Sequence, residues 1–344
     1  MKIAFIVSHF PSLSQTFVLN QVIGLIEQGH SVDIYADYAS KPDTKLHHDV
    51  VKYQLLDHTY YFNRPKQRIV EVTKGSWIVF LETIKNFSFF QRVLEYTRWN
   101  KEEVLFSRLK FIYLAKEFVN KPQYDVIHCH FGPNGNKGMI VKKMFYPASV
   151  LATTFHGYDL TKYLTSGKNP YRQLFESGDL FLPISEHWKK HLIELGCNPE
   201  KIQTHHMGVD IDRFTVSLPT VTKKSLKLIT IARLSEKKGI EYGIRAVHEL
   251  KASHLDIDTD IEYSIIGEGP LRPVLQTLIE ELDLTQTVKL LGWRQQQEIV
   301  ELLAQSQILL APSITASDGD QEGIPVVLME ALAMGIPVVS TLHS

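Results

Sequence analysis

Only two cysteines, Cys129 and Cys197, occur in 344 residues. That is too few for a disulfide framework and suits a reducing compartment. Charge of one sign is also lacking: 37 Lys and Arg against 38 Asp and Glu leave a net charge of −1. Such a balance offers no overall attraction to nucleic acid. Long apolar runs are missing. The N-terminal run 3–7 is too short for the core of a signal peptide. The stretch 323–339 carries Glu330 and two prolines, so it does not read as a membrane span. By elimination the cytoplasm is the expected compartment. No GxxxxGK[ST] occurs, which argues against an ATPase of the P-loop type. No CxxC or HExxH occurs either, so the His128–Cys129–His130 cluster has no zinc partners unless His156 or the His205–His206 pair converge on it. No metal is expected.

Short β-type apolar runs alternate with amphipathic helical stretches along the chain, the pattern of parallel sheets with crossover helices. Residues 3–7 read as a strand. Phe17, Val18, Val22, Leu25 and Ile26 form a helical stripe stopped at Gly29, and 31–36 is the next strand. Strands are expected again at 126–131, 150–155, 180–184 and 202–206. The polar stretch 215–224 reads as a linker. A second series follows, with strands at 228–232, 263–266, 288–291, 308–311 and 337–341. The expected architecture is α/β, with Rossmann-like domains at 1–216 and 217–344. Such domains bind ligands at the carboxyl ends of their strands, and these ends are expected to face each other across a cleft. Residues 58–120 stand apart, with 14 aromatics and 11 Lys or Arg against 6 Glu. They read either as a surface for anionic membrane or as a helical insertion whose aromatics pack on the first domain. Periodicity does not separate the two.

Five motifs carry candidate chemistry. In EGIPVVLME (322–330), Glu322 precedes a helix expected to begin near Pro325, a residue that suits the first helical position. The amides of Gly323, Ile324 and Val326 would form an anion site. Glu330 follows eight positions after Glu322, on the order of 10 Å along a helix, which fits two ends of one elongated ligand. The competing reading is a capped helix with solvated carboxylates. In ARLSEKKG (232–239), Arg233 and Lys238 lie where a strand meets a helix and could hold a diphosphate, or could form a solvated surface cluster. In TTFHGYDL (153–160), His156 and Asp159 follow a buried strand, and Asp159 is expected to contact substrate. His156 could exchange a hydrogen bond with a sugar hydroxyl or a leaving oxygen, or could be structural. In IHCHFGPNG (127–135), His128 and His130 alternate onto one face of a strand. GEGP (267–270) follows a strand, so Gly267 and Gly269 could admit a nucleotide, although tight turns use such glycines routinely.

In this order, FPSLSQTF (10–17), HFGPNG (130–135), HGYDL (156–160), ISEHWKKHLIELG (184–196), MGVDIDRF (207–214), ARLSEKKG (232–239) and EGIPVVLMEALAMGIPVVST (322–341) resemble the retaining glycosyltransferases of family 4, which have the two-domain GT-B fold. The resemblance spans nearly the whole chain and is strongest to bacterial exopolysaccharide and colanic-acid-type members. It implies transfer of a sugar from a nucleotide-diphosphate donor to an acceptor hydroxyl, with a lipid-linked saccharide as the acceptor. Glu322 would contact the donor sugar and Glu330 the ribose hydroxyls. Arg233 and Lys238 would hold the diphosphate, making metal unnecessary, and His156 would touch the transferred sugar. The loop 14–17, with Ser14 and Gln15, would close over the phosphates or acceptor from the first domain. Ser12, Leu13 and Ser14 replace the Gly-Gly pair of many relatives, and Gln15 stands where this subgroup often has Glu. The chain stops at Ser344 where the family continues through further helices, so an incomplete second domain is expected. A nucleotide-sugar epimerase and a non-catalytic nucleotide-sugar-binding subunit are the competing readings.

Overall fold

The structure, a computed structural model, describes residues 1–12, 15–39, 46–99, 108–161, 169–214, 225–253 and 260–342. The chain divides into two compact units, Met1–His205 and His206–Ser344. In the first, the order is β1 (Lys2–His9), α1 (Thr16–Glu27), β2 (Ser31–Tyr38), α2 (His48–Lys52), β3 (Thr59–Tyr61), α3 (Arg68–Lys85), α4 (Phe87–Trp99), α5 (Arg108–Phe118), β4 (Val126–His130), α6 (Gly132–Phe145), β5 (Val150–Phe155), α7 (Tyr158–Thr161), α8 (Arg172–Ser177), β6 (Leu180–Pro183) and α9 (Glu186–Glu194). The second unit holds β7 (Ser225–Ile231), α10 (Ile240–Ala252), β8 (Asp260–Ile266), α11 (Arg272–Glu281), β9 (Val288–Gly292), α12 (Gln296–Ala304), β10 (Ile308–Ala311), α13 (Val326–Ala333) and β11 (Val338–Ser340).

The first sheet is parallel in the order β3-β2-β1-β4-β5-β6. Its inner strands are buried on both faces, hence the unbroken apolar run 3–7 of β1, while β5 buries Thr153 and Thr154 among its apolar residues. The strand order reverses between β1 and β4, the switch point at which such sheets bind ligands. Helix α6 starts there and lies flush on β4 and β5 because Gly135 and Gly138 face them. A Cβ at Gly138 would overlap Cys129 Sγ and come 2.8 Å from Leu151 Cδ1, and one at Gly135 would come 2.8 Å from Thr153 Cγ2.

Two expectations are corrected here. Residues 202–206 do not form a regular strand; they make a single bridge between Phe181 and Ile202. A strand absent from the reading, β3, extends the sheet at the β2 edge. The segment 58–120 divides its aromatics. Phe89, Tyr96, Phe111 and Phe118 are fully buried, with Tyr96 and Phe111 stacked at 4.0 Å. Trp77, Phe80 and Phe87 stay exposed.

The second sheet is parallel in the order β11-β10-β7-β8-β9. The boundary expected at 216/217 differs from this division by packing. Phe214 is buried and packs, with Val209, against Ile229, Leu303 and Met334 of the second unit. The expected linker 215–224 lies outside the described residues.

Candidate active site

In the first unit the site grows from the carboxyl ends of β4 and β5. Register pairs Cys129 with Thr153 and His130 with Thr154, so His156, just past β5, comes beside His130. Three imidazoles then form a column. The rings of His128 and His130 lie 4.9 Å apart, and those of His130 and His156 5.2 Å apart. His128 Nε2 bonds the Thr154 hydroxyl at 2.8 Å, and His130 Nδ1 meets His156 Nε2 at 3.0 Å. Phe17 and Phe131 flank the His156 ring at 4.6 and 4.4 Å. Burial strips water from the His128 and His130 rings and from most of the His156 ring, which stays partly exposed. His128 drops to about 4 and His156 to about 3, and His130 falls well below the usual histidine range. The column is therefore neutral at physiological pH. Among the described residues, no group of three or more His, Cys, Asp or Glu side chains is arranged to hold a metal ion.

Asp159, expected at the substrate, belongs instead to the scaffold. It is fully buried, and its carboxylate accepts from the amide of Gly132 at 2.8 Å and from that of His156 at 3.0 Å. It thus caps α6, which lacks a side-chain cap at Phe131, and pins the loop that carries His156. Burial raises its carboxyl to about 6 against the pull of those amides. Gln15 occupies the N-cap position of α1 without a side-chain capping bond. Ser14 lies outside the described residues.

In the second unit, the turn after β7 and the segment before α13 are strapped together. Glu236 accepts from the amide and hydroxyl of Ser317, both at 2.8 Å, and Lys237 pairs with Asp320 at 3.2 Å. Lys238 pairs with Glu322 at 2.5 Å. Three consecutive side chains thus anchor 317, 320 and 322, and Lys238 is joined to Glu322, which the sequence could not show. Arg233 is exposed and its side chain makes no ion pair among the described residues. Pro325 takes the N-cap position rather than the first helical one, so Gly323 and Ile324 approach α13 in non-helical backbone and Val326 is its first residue. Orphan amides of that first turn remain a positive end for an anion. Glu330 lies inside α13, and burial pushes its carboxyl up to about 7.

Gly267 and Gly269 have a local explanation. Any Cβ there would overlap the carbonyl oxygens of Ala232 and Leu234. The chain needs glycine because Ala232 N bonds Ile266 O and Leu234 N bonds Glu268 O, at 2.9 and 3.0 Å. These glycines therefore bring the Arg233 turn against β8. The role of His130 escaped the reading of the sequence, which paired it with His128 as a metal candidate. The available signal was its alternation with His128 on one strand face, but the partner across the sheet depends on register.

Comparison with known proteins agrees with this architecture. Residues 14–213 match the family described as Glycosyltransferase Family 4, and residues 218–344 match Glycosyl transferases group 1. The Salmonella typhimurium protein assigned to colanic acid biosynthesis as glycosyltransferase WcaL is 38% identical over 100% of this chain and 83% of its own. The amylovoran biosynthesis glycosyltransferase AmsK of Erwinia amylovora is 34% identical with the same coverage. Among solved structures, Anabaena HepE in complex with UDP and glucose superposes with a TM-score of 0.66 at 18% identity, over 99% of this chain and 80% of that one.

Proposed function

The chain belongs to glycosyltransferase family 4 with a GT-B-type fold, and we propose that it transfers a sugar, with retained anomeric configuration, from a nucleotide diphosphate to a hydroxyl of a lipid-linked saccharide in exopolysaccharide synthesis. The observation that carries the donor assignment is the Lys238–Glu322 pair at 2.5 Å, beside the first turn of α13. A diphosphate entering here exchanges one anionic partner of Lys238 for another. Glu322 is then released to accept from a hydroxyl of the donor sugar, while exposed Arg233 adds a second cation. Charge builds on the departing diphosphate in the transition state, so these cations and the helix amides act mainly there. They also supply the neutralisation for which a metal is otherwise used. Glu330, poised near neutrality, can donate to or accept from ribose hydroxyls. His156 offers a neutral imidazole to the sugar near the anomeric centre. The reaction proceeds on one face through an oxocarbenium-like state: the bond from the anomeric carbon to the diphosphate breaks, the acceptor oxygen bonds to that carbon, and its proton passes to the departing diphosphate oxygen.

The names of WcaL and AmsK support a surface-polysaccharide acceptor. An acceptor on a lipid carrier has to be met at a membrane, and no helix among the described residues is long and apolar enough to cross one. Helix α3 supports peripheral contact. Ile69, Trp77, Phe80 and Ile84 recur on one face of it, and Ile69, Trp77 and Ile84 are 80, 61 and 69% exposed. Lys66, Arg68 and Lys74 are exposed at and near the N-terminal half of the same helix, each contributing about 1 kcal/mol near anionic lipid. Arg64 is committed to Glu71 at 2.6 Å and Lys85 to Glu82 at 3.1 Å.

The test is incubation with a panel of nucleotide sugars and lipid-linked saccharides, with and without EDTA. Acceptor-dependent release of nucleoside diphosphate, an unchanged anomeric coupling in the product and indifference to EDTA are expected. Sugar conversion without acceptor, or binding without turnover, overturns transfer. Loss of turnover in EDTA restored by Mn²⁺ overturns metal independence. Sedimentation with phosphatidylserine-containing vesicles at low salt, lost in Trp77→Ser/Phe80→Ser, tests the membrane face. Recovery of the unaltered protein in the supernatant would sink that part.

A further inference from the structure

We propose that His130 is a positioning residue that holds the proton of His156 on Nδ1, so that His156 meets an oxygen acceptor of the sugar or leaving group as a neutral N–H donor. The inference rests on the reading of His156 as a sugar-contacting group. Its basis is the 3.0 Å bond between His130 Nδ1 and His156 Nε2, made between rings whose planes differ by 24°. A neutral imidazole carries one N–H, so only two arrangements satisfy that bond. If His156 donated from Nε2, the proton of His130 would have to sit on its own Nε2. That atom is buried and has no hydrogen-bond partner among the described residues, in a residue only 2% exposed. If His130 donates from Nδ1 instead, its Nε2 keeps only an unpaired lone pair, and the proton of His156 is driven to Nδ1. Buried N–H groups without acceptors are among the rarest defects in folded proteins, and bare acceptors are better tolerated. The second arrangement is therefore selected.

Among the described residues, nothing around the pair favours a cation that would place protons on both nitrogens. His128 stacks on His130 at 4.9 Å and turns its Nε2 to Thr154, while His205 adds only a repulsive charge if protonated. The nearby carboxylate, Asp159, is engaged with the backbone amides of Gly132 and His156 rather than with an imidazole. Phe5 lies 5.7 Å from the His130 ring, and Phe17 and Phe131 hold the His156 ring from either neighbouring element. The orientation of His156 is thus fixed by packing and its tautomer by His130. This is the division of labour by which a partner on one ring nitrogen sets the chemistry of the other.

The experiment is long-range ¹H–¹⁵N correlation on the full chain with labelled histidine, near pH 7.5 and without donor or acceptor. His156 should be protonated at Nδ1 and bare at Nε2, with His130 protonated at Nδ1. His130→Asn sets an amide nitrogen where Nδ1 stood and should keep both this pattern and turnover within about threefold. His130→Phe should mix the His156 tautomers and lower kcat for nucleotide release by about 10–100-fold, the usual scale for losing an orienting partner, with the Kd for UDP unchanged. A His156 protonated at Nε2 in the unaltered protein overturns the proposal, with no variant required to fold. So does equal behaviour of the Asn and Phe variants. Because the tautomer is read without substrates, absence of transfer with the expected tautomer present counts against the glycosyltransfer reading alone.

Discussion

Glu330→Gln should stabilise the second unit above pH 7 and change it little at pH 5. Burial on α13 lifts this carboxyl from 4.5 to about 7. Between those values the native state keeps a proton that the unfolded chain has released. The unfolded state binds fewer protons there, so stability falls as pH rises through that window. At about 1.36 kcal/mol per pH unit, the full effect is roughly 3 kcal/mol. Water reaches part of this side chain, and a high effective dielectric brings the expected value to about 1–2 kcal/mol. Gln mimics the protonated acid and carries no such penalty. For a unit of this size, 1 kcal/mol shifts Tm by about 3–4 °C, so the variant should melt about 3–8 °C higher at pH 8. Scanning calorimetry of both proteins at pH 5 and 8, following the transition of the second unit, measures this. An identical Tm difference at the two pH values, or a lower Tm for the variant at pH 8, would refute the reasoning, because the burial of Glu330 would then not oppose its ionisation.

Arg233→Ala and Lys238→Ala should each lower kcat by roughly 10²–10³ at saturating donor, the scale of losing one preorganised group at a developing oxyanion; wild-type turnover in both would remove the diphosphate from this turn. Gly138→Ala should destabilise the first unit by about 1–3 kcal/mol, because the new methyl overlaps Cys129 Sγ and crowds Leu151. Adding Cys129→Ala should recover part of that loss, and strict additivity in a urea-denaturation cycle would show the contact to be absent. The first unit should also be acid-labile. Below pH 6.5 the unfolded chain takes up protons on His128, His130 and His156 that the native column resists, so each histidine lowers stability by about 1.4 kcal/mol per pH unit. Asp159, raised to about 6, offsets one of the three as pH falls. Urea midpoints at pH 7, 6 and 5 should fall steadily, and a flat series would mean that the column is solvated.

The alternation of apolar runs and amphipathic stretches determined by itself that parallel strands and crossover helices build both halves. Burial on two faces demands continuous apolar strands, a pattern written locally. Motif order along the chain likewise placed Arg233, Lys238 and His156 after strand ends and Glu322 just before a helix, since strand-to-helix turns carry their own glycine, proline and charge signals. Partners across the sheet are another matter, because register depends on packing between segments distant in sequence. Only the pairing of His130 with Thr154 brings His156 to His130, and only the fold closes Asp159 onto the Gly132 amide. The same limit explains Gly267 and Gly269, whose necessity lies in a backbone crossing at Ala232 and Leu234. It also explains the aromatics of 58–120, which a periodic pattern could assign to either face of a helix. Composition counts Trp77 and Phe111 alike; which one meets solvent is decided by the neighbours that three-dimensional packing supplies, Phe111 stacking on Tyr96 and Trp77 being left outward.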